Sequence, residues 1–228
     1  MRNLASLLFA GGLAFLLMAI AALLPFGHPP VLAGGAILEQ AADQVGAANI
    51  VTAVVLGYRG LDTLGEITIL FAAAAGLGLV LGRRRAGAPR DPDAGPVLRT
   101  GAALMFPLLV LVGFHIILHG HLTPGGGFQG GVILAAAFFL PLLARPGTPV
   151  DHPGLSLVEG TAGAVFIVTG LVALLTGGEF LQPLLGTGTL GTLFSAGTLP
   201  ILYLALGLKV GAELAGLLAR LADAETDT

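Results

Sequence analysis

Three sets of ionisable side chains lie inside apolar stretches of this 228-residue chain, where bulk water cannot solvate them. Asp62 and Glu66 stand four residues apart, so on a helix they share a face, and Arg59 precedes Asp62 by three. Lys209 and Glu213 repeat the four-residue spacing in the last apolar run, and His115 and His119 repeat it at the end of another, with His121 just beyond. A carboxylate at the bilayer centre costs about 2.5 to 3.5 kcal/mol on an insertion scale, while each Leu or Ile returns about 0.3 to 0.6. The runs can therefore insert, but their charges need a partner or water. The chemistry open to such groups is the movement of protons or cations: a desolvated lysine shifts its pKa readily, and histidine titrates near neutral pH.

Each group also has a plainer reading. Asp62 and Glu66 could serve as a helix start and an Arg59–Asp62 pair at the interface, Lys209 could snorkel to the headgroups, and His119 and His121 could make structural hydrogen bonds. Glu159 is expected at the interface, Glu179 in an outer turn, and His28 and His152, beside prolines, in exposed loops. Three clustered histidines fall short of a well-formed metal site, which wants three or four ligands of suitable geometry, so no metal is expected.

The elements that must hold these groups are long and apolar. Hydrophobic residues make up 55% of the chain and charged residues 10%, against about 45 to 50% and about 25% in soluble domains. This is the composition of an all-α polytopic membrane protein. About seven stretches approach the roughly 20 residues needed to cross a bilayer: Leu4 to Leu24, Ala36 to Tyr58, Leu61 to Leu81, Val97 to His119, Gly126 to Ala144, Leu157 to Thr176 and Thr192 to Leu218. The second is the weakest, since Glu39, Gln40, Asp43 and Gln44 occupy its first turns. The first is too long for a signal-peptide core and reads as a retained span. A polar, Pro/Gly-rich linker at residues 83–96 separates a three-helix module (1–82) from a four-helix module (97–220).

Cysteine is absent, which excludes disulfides and thiolate cofactor sites. No basic face suggests nucleic acid, and no nucleotide fingerprint or nucleophile grouping suggests an enzyme.

Between the fourth and fifth stretches runs Gly120-His121-Leu122-Thr123-Pro124-Gly125-Gly126-Gly127-Phe128-Gln129-Gly130-Gly131. Pro124 fixes one φ, and the three glycines permit angles and close approaches that a Cβ forbids. Gly126 with Gly130, and Gly127 with Gly131, repeat a small-xxx-small spacing that lets another helix pack closely. The expectation is a tight interhelical turn of defined shape.

This dodecapeptide resembles the motif of the B subunit of Mrp-type multisubunit Na+/H+ antiporters and its counterpart in membrane-bound hydrogenases. Tyr58-Arg59-Gly60-Leu61-Asp62-Thr63-Leu64-Gly65-Glu66-Ile67-Thr68 is similar to an element at the C-terminal end of the large antiporter A subunit, which stands alone as the E subunit of membrane-bound hydrogenases; Tyr58 takes the place of a Phe. The resemblance implies two neighbouring subunits joined in one chain, without the many-helix antiporter-like portion of the larger one. It implies a non-catalytic accessory membrane protein within a cation- or proton-translocating complex, related also to respiratory complex I. The implied partners are lipid and other membrane subunits, antiporter-like ones included, with protons and Na+ as candidate ions and no cofactor of its own. A purely structural interface piece is the alternative.

Basic residues near span ends prefer the cytoplasm. With the linker inside, Arg83, Arg84, Arg85, Arg90, Arg99, Arg145 and Arg220 are inside, against Arg2 and Arg59 outside. The expected location is the cytoplasmic membrane, with the N-terminus outside, the C-terminus inside and the glycine turn facing out. Should the second stretch not cross, the N-terminus moves inside.

Overall fold

The computed structural model describes residues 2–23, 34–81, 94–145, 150–176 and 178–225. His28 and residues 83–93 of the linker, with Arg83, Arg84, Arg85 and Arg90, lie outside the described residues. The chain divides into two units, residues 1–37 and 38–228. The first contains α1 (Arg2–Leu23), an apolar helix long enough to cross a membrane.

In the second unit α4 (Gly60–Leu81), α5 (Pro96–Leu118), α6 (Gly127–Ala144), α7 (His152–Leu175) and α8 (Leu199–Glu225) are the long helices. The described residues are all-α and polytopic: counting α1, six helices are long and apolar enough to cross a membrane. Their hydroxyls do not break them. Thr68, Thr161 and Thr169 each donate to the carbonyl four residues back, which keeps the polar group satisfied in an apolar setting.

The second candidate stretch is not one helix. It forms α2 (Gly34–Val45), a break, and then α3 (Ile50–Thr52), which continues as a π-helix over Ala53–Tyr58. The break has local causes. Gly46 takes φ +71°, and Asn49 caps the next helix by accepting from the Val51 N–H. Tyr58 Oη donates to Gln44 Oε1 across the resulting hairpin. The last candidate also starts later than its hydropathy suggests: residues 192–198 belong to a loop, and α8 opens at Leu199.

α8 is the central element, packed against α6, α7 and α4, while α5 packs against α6. Glycine explains how closely these helices approach. A Cβ on Gly130 would meet the Ile117 side chain and the Gly113 carbonyl of α5, and one on Gly131 would meet Gly207 and Val210 of α8. Gly127 lies against Leu206. Gly130 thus faces α5 while Gly127 and Gly131 face α8, so the small residues of α6 serve two neighbours at once.

Candidate functional site

Two polar regions lie at opposite ends of this bundle. The first is the turn between α5 and α6. His115 and His119 stack with ring centroids 4.1 Å apart, and His119 Nδ1 lies 3.0 Å from the His115 carbonyl. His115 is exposed and His119 half-buried. Pro124 and Gly125 lead into Gly126, whose φ of +137° with ψ −173° is reached in practice only by glycine, and a Cβ there would strike the Tyr203 ring. Phe128 is half-buried at the start of α6.

The broken segment grips this turn. Asn49 Nδ2 donates to the carbonyls of Gly120 (2.8 Å) and Thr123 (2.9 Å), and its backbone N–H donates to the His121 carbonyl (3.0 Å). Thr52 Oγ1 donates to the Gly120 carbonyl (2.6 Å) and accepts from Tyr203 Oη (2.7 Å). Residues 49–52, the turn and α8 are therefore tied by neutral hydrogen bonds.

The His121 side chain is fully buried, and neither ring nitrogen makes a well-aligned hydrogen bond. Burial pushes its pKa below the ordinary histidine value. The nearby backbone of Thr192 and Leu193 opposes that shift, and the charge of His119 adds to it. The His121 main chain makes the structural hydrogen bond to Asn49, and its ring lies beside the backbone of Thr192 and Leu193.

The second region is charged. Lys209 on α8 is buried and donates to Glu213 Oε2 (2.8 Å) on its own helix and to Glu159 Oε1 (3.1 Å) on α7. Its ammonium is thus held by two carboxylates within the bundle. The Glu213 side chain is 1% exposed and its Oε1 has no partner, whereas Glu159 is 22% exposed. The Phe71 ring of α4 lies 5.2 Å from Nζ, a cation–π contact that covers the ammonium.

Beside this triad is a cavity of about 440 Å³, lined by Phe71 and Gly78 of α4, His152 and Glu159 of α7, and Glu213 and Arg220 of α8. α4 and α8 reach it with their C-terminal halves and α7 with its first turns, so it lies at the end of the bundle from which the linker leaves. Asp151 starts α7 by accepting from the Gly154 N–H, which places Glu159 two turns into the helix. An ammonium between two carboxylates, next to a cavity, can exchange protons among three groups.

Glu159, expected at the interface, is a member of the triad. No spacing within α7 announces this, because its partner is 50 residues away. Asp62 and Glu66 are not part of it. Asp62 pairs with Arg59, both well exposed, and Glu66 is exposed on α4 with no hydrogen bond or ion pair among the described residues. On an apolar helix, an exposed and unpaired acid marks a face that another protein or water must cover.

A family model described as a domain related to the MnhB subunit of Na+/H+ antiporter matches residues 97–216, and one described as the E subunit of MBH matches residues 4–91. An uncharacterized protein of Methanocaldococcus jannaschii is 33% identical over 197 residues, covering 74% of each chain. A chain in the structure of the membrane-bound sulfane sulfur reductase, an archaeal respiratory membrane complex, superposes with a TM-score of 0.85 at 40% identity, covering 96% of this chain and 97% of its own. A chain of the Mrp complex from Dietzia sp. DQ12-45-1b gives 0.77 at 28% identity, covering 97% of this chain and 26% of its own.

Proposed function

The chain belongs to the family of domains related to the MnhB subunit of Na+/H+ antiporter, and from that premise we propose that it is a non-catalytic accessory subunit whose charged cavity forms part of an ion pathway. It works inside a multisubunit cation-translocating complex, beside antiporter-like membrane subunits, with protons and Na+ as the candidate ions. One observation carries the pathway reading. Three ionisable groups share two hydrogen bonds inside a membrane helix bundle, and two of them, Glu159 and Glu213, line a cavity large enough for water. A pair kept only for stability would be sealed from solvent and fully partnered, because an unsatisfied buried carboxylate oxygen is costly.

The protein lies in the cytoplasmic membrane, with the linker, the cavity and the C-terminus facing the cytoplasm and the glycine turn facing out. Residues 46–60 stay at the turn end, since Asn49 binds the turn and a Cβ on Gly60 would meet Leu181. The broken segment then does not cross, which leaves the six helices among the described residues that are long and apolar enough to do so, and the N-terminus moves to the cytoplasmic side. Arg2 thereby joins the other inward arginines.

The asparagine clasp favours a second reading, in which the protein is an interface piece only. The Lys209→Met and Glu213→Gln variants separate the two. Assembly retained with transport lost supports the pathway; transport retained, or lost only with assembly, supports the interface reading.

A further inference from the structure

The cavity lining does more than place a triad near water: it discriminates among cations. We infer that this site passes protons and excludes metal cations, an inference that rests on the pathway reading above. Lys209 holds the position a metal ion would need, with its ammonium 2.8 Å from Glu213 Oε2 and 3.1 Å from Glu159 Oε1. A hard cation entering the cavity must replace a shell of about six oxygens. Among the described residues, apart from the two carboxylates, the only side-chain oxygen in the lining is that of Ser156, and the rest of the wall is Phe71, His152, Arg220, alanine, leucine and glycine.

Charge reinforces the chemistry. Glu159 and Glu213 are balanced by Lys209 and by Arg220, a fixed cation in the cavity wall. α4 adds no ionisable group to the lining, α7 adds only His152 and Glu159, and α6, also packed on α8, contains none. Counted over the described residues the cavity is neutral, and a neutral wall does not concentrate metal cations. A proton has smaller needs: one lone pair, which Glu213 Oε1 supplies, buried and unpartnered.

The transfer is balanced. A hydronium in the cavity protonates the Glu159 carboxylate and leaves as water, the Lys209 ammonium gives one of its own protons along its hydrogen bond to Glu213 Oε2, and the resulting amine recovers a proton from Glu159. Lys209 and Glu159 end as they began, and one proton has moved from the cavity to the buried carboxyl. Arg220 touches none of the transferring atoms; it is a selectivity residue.

The assembled complex in proteoliposomes tests this, with proton flux followed by a pH-gradient dye against the concentration of added Na+ or K+ at several pH values. Glu159→Gln and Glu213→Gln are expected to lower maximal proton flux by about a hundredfold while the KM for the metal cation stays unchanged. Arg220→Gln is expected to make proton flux fall as Na+ or K+ is raised on the cavity side. A KM that rises with the loss of flux in Glu213→Gln would overturn the selectivity, yet leave an ion pathway, now for metal, in place. Wild-type flux in assembled Glu213→Gln would remove the pathway reading and the selectivity with it.

Discussion

The glycine turn and the charged cavity solve opposite problems with the same central helix. At the turn, Asn49, Thr52 and Tyr203 donate neutral hydrogen bonds, and the Gly126 backbone admits only one kind of residue. At the cavity, Glu159, Lys209 and Glu213 share two bonds and leave one carboxylate oxygen over. A region with one satisfied arrangement fixes geometry. A region with several protonation arrangements of similar cost can change state, and the contrast teaches that rigidity at one end of α8 positions the adjustable groups at the other.

The largest expected effect breaks the rigid end. Gly130→Val forces a side chain against Ile117 and the Gly113 carbonyl. In a close helix pair this is overpacking that nearby backbone cannot relieve, and no monodisperse protein should survive detergent size exclusion.

Next comes the adjustable end. Lys209→Met strands Glu213 and should cost about 3 to 5 kcal/mol of stability. The triple variant Lys209→Met, Glu159→Gln, Glu213→Gln should recover most of it, because uncharged partners carry no desolvation penalty. Thermal denaturation of the two variants reads the difference, and equal losses would mean that the triad is ordinary packing.

Asn49→Ala removes two donors from the turn and a helix cap, a loss of about 1 to 3 kcal/mol, with the cavity groups left in place. Native-gel assembly should weaken before the pH dependence of transport moves.

Smaller still is the titration of His121. Its folded-state pKa is depressed by burial, so the unfolded chain binds the proton more readily; stability is full above the unfolded value of 6.5 and declines as pH falls below it. His121→Gln should flatten that decline. Arg59→Ala disrupts only an exposed pair and should change stability by less than about 1 kcal/mol.

Much of this arrangement is legible in residue spacing. The helical class follows from apolar run length, and Lys209 with Glu213 follows from the four-residue repeat, because both depend on neighbours along one helix. Glu159 could not be read this way: its partner is supplied by the packing of α7 on α8, and in isolation one acid near the start of an apolar helix looks interfacial. The broken second stretch is hidden for a related reason. Gly46 and Asn49 look unremarkable until Asn49 meets the Gly120 and Thr123 carbonyls, a contact across more than seventy residues. Asp62 and Glu66 show the converse. Their spacing is as regular as that of Lys209 and Glu213, yet among the described residues Asp62 meets an exposed Arg59 and Glu66 meets no charged group, so no buried cluster forms.

Infrared difference spectroscopy of the assembled complex, stepped through pH, bears most directly on the claim that Glu213 takes up and releases a proton. A carboxylic-acid C=O band should rise and fall with pH in the wild type and be missing from Glu213→Gln. A spectrum left unchanged by that substitution would contradict the account.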